Sequence, residues 1–351
     1  MLAKTDVAEG HVSLSDVAGL TGHVSAVTNQ KIQEIQKITG RMRMLALNAM
    51  IEAARAGTAG AGFSIVAQEV RGVGGEVAQV ATALEQELAG QIVKLERLIA
   101  VMAEQARGAR LVDLALNAIE IVDRNLYERT CDVRWWATDA ALVDCAHNPG
   151  EGTCSYASER LGVILDAYTV YLDLWLCDLD GKIIANGRPG QYSAVGRNVS
   201  QEQWFRAAKG LASGDDYTVA DIAPQAALSG ATTATYATKV CTGGRADGAP
   251  LGVLAVHFDW APQARTIVEG VRLSAEERAH SRVMLVDASH RIIASSDGQG
   301  VLSERLSLKL DGQGSGYYIE PDGSLVAFHA TPGYETYRGL GWYGVIVQGV
   351  H

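Results

Sequence analysis

Two helical arms on either side of a glycine-rich turn constrain this chain most strongly. In the first arm, apolar residues recur at alternating steps of three and four, at Ile32, Ile35, Ile38, Met42, Leu45 and Ala49. The second arm repeats these steps at Val66, Val70, Val73, Val77, Val80 and Leu84. Such steps are typical of helices that pack along a seam. Residues 56–62 (AGTAGAG) separate the arms, and their glycines can adopt the positive φ angles of a tight reversal. The pattern predicts an antiparallel helical hairpin.

A hairpin of this kind has a narrow apolar stripe and no globular core. We expect two copies to pair into a four-helix coiled-coil bundle, because pairing buries the stripes. Periodicity alone favours a structural coiled-coil spacer over a signalling part.

Composition excludes several classes of function. The formal net charge is −10 and there is no basic run, which argues against a nucleic-acid partner. The longest apolar runs, such as the one that begins at Leu251, are far shorter than the roughly 20 residues of a membrane helix. The first residues also lack the apolar core of a signal peptide. The five cysteines are odd in number and not closely spaced, which predicts free thiols and a reducing, cytoplasmic compartment.

The turn and its flanks carry a specific motif. Residues 45–57 read LALNAMIEAARAG, and residues 60–71 continue as GAGFSIVAQEVR. This string closely resembles the tip of bacterial methyl-accepting chemotaxis receptors. In that family the tip contacts the chemotaxis histidine kinase (CheA) and its coupling protein (CheW), and it packs dimers into trimers.

The resemblance implies roles for particular residues of the tip. By position, the trimer contact would comprise Asn48, Glu52, Arg55 and Phe63. Met44 and Ile65 would face the coupling protein, and Glu69 and Arg71 would belong to the same contact region. Thr58 stands where the family has an acidic residue, and Ala61 where it has an arginine, so we expect weaker polar contacts at this tip.

Beyond the hairpin, a helical pattern continues from Arg110 to about Cys145, and Pro149-Gly150 then break it. Cys145 and Cys154 flank this break, and their spacing fits no metal signature, so we expect a loop with free thiols and no bound metal.

Strand patterns dominate after Tyr168, and part of the sequence occurs twice. LCDLDGKIIAN from Leu176 aligns without a gap with LVDASHRIIAS from Leu285, an offset of 109 residues. An offset of this size indicates two copies of a domain-sized unit. A helix capped by a serine is expected from Ser200, and a further helix from Trp260 to His280 with a capping box at Ser274 and Glu277.

A long helix followed by two PAS-like lobes resembles the double Cache sensor family, whose members bind small ligands mostly in the first lobe. Trp204-Phe205 and Asp221 match that family's aromatic pair and later acid, but Glu202 replaces the arginine that clamps a ligand carboxylate. An acidic lid suits a cationic or uncharged ligand. The candidate ligand-binding residues are Tyr171, Trp175, Glu202, Trp204, Phe205, Tyr217, Asp221, Tyr236 and Asp259. Each aromatic residue is also compatible with simple core packing, and each aspartate with a turn cap.

The sequence thus predicts a multi-domain α and α+β protein. Its expected parts are a signalling hairpin (1–108, tip at 56–62), a connecting long helix (109–150), a ligand-binding Cache lobe (151–270) and a second Cache lobe (271–351). The expected function is that of a soluble chemoreceptor-like homodimer that senses a small ligand and controls a histidine kinase. The alternative is a non-signalling ligand-binding or scaffold protein of receptor arrays. No catalytic residue set or cofactor is expected.

Overall fold

The computed structural model describes residues 14–349, without the side chains of Leu14 and Ser15. The expected domain limits at residues 1 and 351 lie outside this range. The chain forms two compact units, Met1–Arg107 and Gly108–His351.

Two long helices form the first unit. Helix α1 spans Leu14–Arg55, a 3-10 turn spans Gly57–Gly60, and helix α2 spans Ala61–Trp136. The residues of α2 up to Arg107 belong to this unit, and the remainder of α2 belongs to the second unit. The predicted hairpin with its reversal at the glycine-rich turn is therefore confirmed.

Small side chains form the seam between the two arms of the hairpin. The buried positions recur every seven residues, at Ile32, Thr39, Ala46, Ala53, Gly60, Ala67, Gly74 and Ala81. Most larger residues of the predicted stripes lie outside this seam, and Leu45 and Val80 are 68% and 66% exposed. Of the apolar residues that define the stripe of the first arm, only Ile32 belongs to the seam. The helices therefore meet through one small residue per heptad, which leaves a broad apolar surface on each arm.

Two glycines of the turn have distinct structural tasks. Gly57 has a φ of +60°, the left-handed conformation that glycine adopts without strain. Gly60 lies directly against the first helix, and a Cβ on it would stand 2.2 Å from the carbonyl oxygen of Ala53. Gly62, in contrast, has nothing within 4 Å of such a Cβ. The reversal is thus fixed by one backbone conformation and one close approach.

The second unit contains two antiparallel sheets, one in each lobe. The first comprises β1 (Tyr171–Asp178), β2 (Ile183–Asn186), β3 (Thr218–Val219), β4 (Ala223–Gln225), β5 (Ala231–Cys241) and β6 (Pro250–Asp259). The second comprises β7 (Ser281–Val286), β8 (Ile292–Ser295), β9 (Ser315–Ile319), β10 (Leu325–Ala330) and β11 (Tyr343–Gln348). Their strand orders are β2-β1-β6-β5-β3, with β4 also paired to β5, and β8-β7-β11-β10-β9. The two lobes thus share one topology.

The sequence repeat corresponds to a structural repeat. Trp175 pairs with Asn186 in the first sheet, and Met284 pairs with Ser295 in the second, which preserves the offset of 109 residues. The same turn is fixed twice, because Asp178 and Asp287 each accept backbone hydrogen bonds from residues two and four positions later. The prediction of two copies of one unit is confirmed.

The helices of the second unit differ in part from the sequence-based expectation. The predicted helix to Cys145 is broken after Trp136, because Asp139 turns extended and caps a new helix, α3 (Ala140–His147). Helix α4 (Glu151–Ala167) replaces the expected loop. Helix α5 (Gln203–Lys209) begins after Glu202, so Ser200 is not its cap.

The predicted helix from Trp260 to His280 is also divided, into α6 (Trp260–Gly270) and α7 (Ala275–Ala279). The capping box of Ser274 and Glu277 is present, and it starts α7 within the segment expected to be continuous.

Helix α2 is attached to both sheets by buried carboxylates. Asp123 accepts hydrogen bonds from the hydroxyl of Thr331 and from the backbone N–H of Gly333 at 2.8 Å, next to strand β10. Asp132 accepts from the hydroxyl of Tyr171 at the start of β1 and from Nε of Arg129 at 3.2 Å. Burial raises the pKa of both carboxyl groups.

Substitution of Gly60 tests the close approach at the turn. We expect Gly60→Ala to destabilise the hairpin by about 1–3 kcal/mol, because the added methyl must displace backbone. Circular dichroism during thermal unfolding measures this loss. Every tryptophan lies in the second unit, so tryptophan fluorescence should be unchanged by the substitution.

Gly62→Ala is the matched control, since its methyl enters open space in a helix and should leave stability equal or slightly higher. Equal stability of the two variants would contradict the packing at Gly60.

Candidate functional site

The candidate ligand site lies on one face of the first sheet. The segment between β2 and β5, which includes α5, covers this face, and we call it the lid. The lid and the sheet enclose a buried group, here called the lid-side cluster, which comprises Trp175, Cys177, Ile183, Tyr192, Ala194, Val199, Trp204, Phe205, Ala208, Leu228, Ala237, Val253 and Ala255. The opposite face of the sheet packs in the main core of the unit, together with α2, α3 and α4.

Aromatic rings surround a buried histidine in this region. The ring centroid of His257 on β6 lies 3.9 Å from that of Trp175 on β1 and 5.9 Å from that of Trp204 on α5. Trp175 and Trp204 are 6.4 Å apart, and Phe205 meets Trp204 edge to face. The sheet therefore contributes Trp175 and His257 to one group of ring contacts, and the lid contributes Trp204 and Phe205.

Three buried polar atoms of this region have no hydrogen-bond partner within residues 14–349: Nε2 of His257, Nε1 of Trp204 and Oδ1 of Asn186. The other ring nitrogen of His257 is paired with the hydroxyl of Thr235 at 3.0 Å. A buried polar group without a partner costs roughly 1–3 kcal/mol, so native proteins seldom retain one without a reason.

A buried carboxylate, Asp173, orients Trp175 and Asn186. Asp173 accepts from Nε1 of Trp175 at 2.9 Å and from Nδ2 of Asn186 at 2.8 Å. It also accepts from the backbone N–H groups of Leu174 and Arg188. Burial raises the pKa of Asp173, and these hydrogen bonds oppose that rise. Because Asp173 engages the amide nitrogen of Asn186, the amide oxygen is left free.

The charged and titratable groups beside the site are a neutral histidine and two cationic side chains with backbone partners. Burial lowers the pKa of His257 to about 3, so its ring is neutral at physiological pH. The guanidinium of Arg188 donates to the carbonyls of Leu172 and Leu165, and the ammonium of Lys239 donates to the carbonyl of Leu211. The cationic groups beside the site are thus engaged by backbone oxygens.

The structure brings together part of the predicted ligand set. Trp175, Trp204 and Phe205 meet in the lid-side cluster. Tyr171 does not, because the β1–β6 register shifts between Tyr171 and Asp173 and turns Tyr171 to the opposite face. There it contacts Trp136 and Phe258. Tyr171 therefore lies in the main core of the unit and not in the lid-side cluster.

The remaining predicted residues are dispersed. Tyr236 and Tyr217 pack against each other within the main core, and Arg134 lies over the ring of Tyr217. Glu202 and Asp221 are exposed. Asp259 is half-buried, and this burial raises its pKa.

Sequence reasoning missed His257, Asn186, Asp173 and Tyr192. The available signal was the strand alternation, since Ala255 and His257 on β6 lie on the same face as Trp175. The unpaired nitrogen of His257 depends on its tertiary neighbours and has no signature in the sequence.

The tip of the hairpin presents its candidate contact residues to solvent. All eight are exposed: Met44, Asn48, Glu52, Arg55, Phe63, Ile65, Glu69 and Arg71. Phe63 is 77% exposed, and Ile65 and Met44 are 65% and 61% exposed. Glu52 and Arg55 form an ion pair of 2.8 Å on the surface. Large apolar side chains clustered at an exposed turn are typical of a protein contact surface.

Comparison with known proteins identifies the first part of the chain. Residues 3–128 match the methyl-accepting chemotaxis protein (MCP) signalling domain. The chain is 34% identical over 95 residues to the methyl-accepting chemotaxis protein PctB of Pseudomonas aeruginosa, a match that covers 27% of this chain and 14% of the relative. It is 43% identical over 79 residues to McpB of Bacillus subtilis, covering 22% and 12%. The chain therefore spans a small part of the relatives it matches. The resemblance of the hairpin to a chemoreceptor signalling domain is confirmed.

Solved structures resemble the second part in fold. The sensory domain of the Campylobacter jejuni chemoreceptor Tlp3 matches with a TM-score of 0.54 and 14% identity, over 71% of this chain and 96% of that chain. The sensor domain of the V. cholerae histidine kinase DctB matches with a TM-score of 0.51 and 16% identity, over 72% and 98%. The predicted double Cache-like fold, a long helix followed by two antiparallel lobes, is confirmed.

Within residues 14–349, no helix combines the length and the apolar character that a membrane crossing requires.

The neutral state of His257 predicts a pH dependence of stability. The unfolded chain binds a proton at this histidine below about pH 6.5, whereas the folded chain does so only near pH 3. Stability should therefore fall as pH decreases through this window, by up to about 1.4 kcal/mol per pH unit. Urea unfolding followed by tryptophan fluorescence measures the second unit directly.

His257→Leu should remove this component, so the stability difference between variant and wild type should change with pH. His23→Gln, on the exposed surface of α1, should parallel the wild type. A pH-independent difference for His257→Leu would contradict the buried neutral histidine.

Proposed function

We propose that this chain, which carries a methyl-accepting chemotaxis protein signalling domain ahead of a double Cache-like fold, is a chemoreceptor-like signal transducer without catalytic activity. A small molecule binds between the lid and the first sheet. The hairpin tip contacts a chemotaxis histidine kinase (CheA) and its coupling protein (CheW) and controls the kinase in response. Such control requires the tip to lie in the cytoplasm.

The exposed tip is the observation that carries this proposal. Phe63, Ile65 and Met44 are large apolar residues on the surface of a tight turn, within the motif that resembles receptor tips. Exposed apolar side chains of this size do not stabilise a monomer, whereas contact with another protein would bury them. The apolar surfaces along both arms support pairing of two chains into a four-helix bundle, with trimers of dimers as a further level.

The lid-side cluster supports a sensor role and restricts the ligand class. Nε1 of Trp204 requires an acceptor and Oδ1 of Asn186 requires a donor, so the ligand carries both kinds of group. We expect an uncharged or cationic ligand, because Arg188 and Lys239 already donate to backbone carbonyls and the carboxyl group of Asp173 is hydrogen-bonded to Trp175. Of the predicted ligand-binding residues, we retain Trp175, Trp204 and Phe205, and we add His257 and Asn186.

Helix α2 is the proposed route from sensor to tip. Its residues belong to both units, and its two buried carboxylates are bonded to the two lobes. Occupation of the first lobe would shift β1, and Tyr171 on β1 is bonded to Asp132 of the helix. A small displacement there can bias two alternative packings of a helical bundle.

A second candidate function is that of an array scaffold that binds the kinase complex without regulating it. Thr58 and Ala61 favour this alternative, because both are exposed at the tip and both replace charged residues of the resembling motif. Kinase binding without a ligand-dependent change in phosphorylation would support the scaffold.

A thermal-shift screen of the full chain against uncharged and cationic metabolites tests the sensor site. A molecule that binds only the native state raises the melting temperature. Trp204→Phe keeps the aromatic packing and removes the N–H donor, so it should weaken binding of the best compound by about 1 kcal/mol, roughly fivefold.

Trp135→Phe is the control, because Trp135 is 68% exposed and lies outside the lid-side cluster. An unchanged affinity in Trp204→Phe would exclude this indole nitrogen from the site.

Sedimentation with the kinase and the coupling protein tests the tip. Phe63→Ala should reduce co-sedimentation by tenfold or more if this residue is a central contact, since such anchors contribute about 2 kcal/mol or more. Val93→Ala removes a similarly exposed apolar residue of α2 outside the tip motif and should bind like the wild type. Equal binding of both variants would refute contact through the tip.

A further inference from the structure

Two of the five cysteines lie next to each other in the first lobe. Cys145 belongs to α3 and Cys154 to α4, and both are free thiols. Cys145 is buried, whereas Cys154 is half-exposed. The sequence-based expectation of a loop with separate thiols is therefore replaced by a pair of thiols on two packed helices.

The sulfur atoms are unusually close for unbonded groups. The Sγ atoms of Cys145 and Cys154 are 2.9 Å apart. Non-bonded carbon atoms settle about 3.5–4.0 Å apart and sulfur is larger, whereas a disulfide bond measures about 2.05 Å. Less than 1 Å of movement therefore separates the two thiols from a covalent bond.

Contacts other than the sulfurs hold these helices together. Arg160 of α4 forms an ion pair of 3.1 Å with Asp139, which caps α3. In the turn between the helices, the hydroxyl of Thr153 accepts from the backbone N–H of Gly150 and lies 3.0 Å from the carbonyl of Asn148. The thiols are therefore preorganised by the scaffold, so bond formation requires little further ordering.

We propose that Cys145 and Cys154 form an oxidation-sensitive pair that closes to a disulfide with a peroxide as oxidant. The accessible sulfur of Cys154, as thiolate, attacks one peroxide oxygen and becomes a sulfenic acid. The departing hydroxide takes up the proton that Cys154 had released, which gives the first water. The sulfur of Cys145 then attacks the sulfenic sulfur, and its proton leaves with the departing hydroxide as a second water. Two thiols thus lose two electrons and two protons, and hydrogen peroxide is reduced to two waters.

The assignment of the two roles follows from their environments. Burial raises the pKa of Cys145, and the neighbouring sulfur of Cys154 raises it further, so Cys145 stays protonated beside its partner. A half-exposed sulfur is the one that a peroxide in solution reaches first. The closed pair would fasten α3 to α4 on the core side of the first sheet, and a dithiol reductant would reopen it.

Peptide mass spectrometry of the full chain tests this pair. Trypsin cleaves after Arg134 and Arg160, so residues 135–160 form a single peptide that contains Cys145 and Cys154 and no other cysteine. After treatment with hydrogen peroxide, denaturation and alkylation, this peptide should be about 2 Da lighter than its dithiol form and carry no alkyl group. Reduction with dithiothreitol before alkylation should restore two alkyl groups.

Internal and variant controls make the result decisive. Cys131 lies in a separate peptide, residues 130–134, which should remain alkylated after the same treatment. In Cys154→Ser, Cys145 should remain a thiol that is alkylated after denaturation, because the accessible partner is missing. Two alkyl groups on the wild-type peptide after peroxide treatment, or sulfinic or sulfonic acids in place of the disulfide, would overturn the proposal.

Discussion

The arrangement of the second unit depends on how helix α2 is bonded to its two sheets. Asp132 is bonded to Tyr171 of the first lobe, and Asp123 is bonded to the segment that follows β10 of the second lobe. If one partner of such a pair moves away, a buried polar group loses its hydrogen bond, which costs free energy. These contacts therefore favour fixed positions of the lobes on the helix. A movement of either sheet must then be accompanied by a movement of the helix or by loss of a buried hydrogen bond.

The same helix has a different type of contact within the hairpin. There, α1 and α2 meet through one small residue per heptad, such as Ala46 and Ala67, while Leu45 and Val66 are exposed. Small residues allow close approach but bury little apolar area, so the hairpin gains limited stability from its own seam. A second copy would supply much of the missing burial, and a bundle held mainly between chains can respond to small shifts of one helix.

Much of this fold could be predicted from the sequence, and the failures have physical causes. The gap-free alignment at Leu176 and Leu285 revealed the duplicated lobe, because the aspartate turn and the paired apolar residues recur with it. The site was predicted only in part. The register shift after Tyr171 moves this residue to the other face, and strict alternation does not predict such a bulge. The importance of His257 rests on an unpaired nitrogen, which depends on tertiary neighbours and not on sequence spacing.

In the proposed function, occupancy of the lid-side site changes the activity of a kinase held at the tip. The most direct measurement is autophosphorylation of CheA, reconstituted with CheW and the full chain, as a function of the concentration of the compound with the largest thermal shift. We expect the phosphorylation rate to change in parallel with binding, and Trp204→Phe to move this response to roughly fivefold higher concentration. A compound that saturates the site while the phosphorylation rate stays constant would contradict the proposed function.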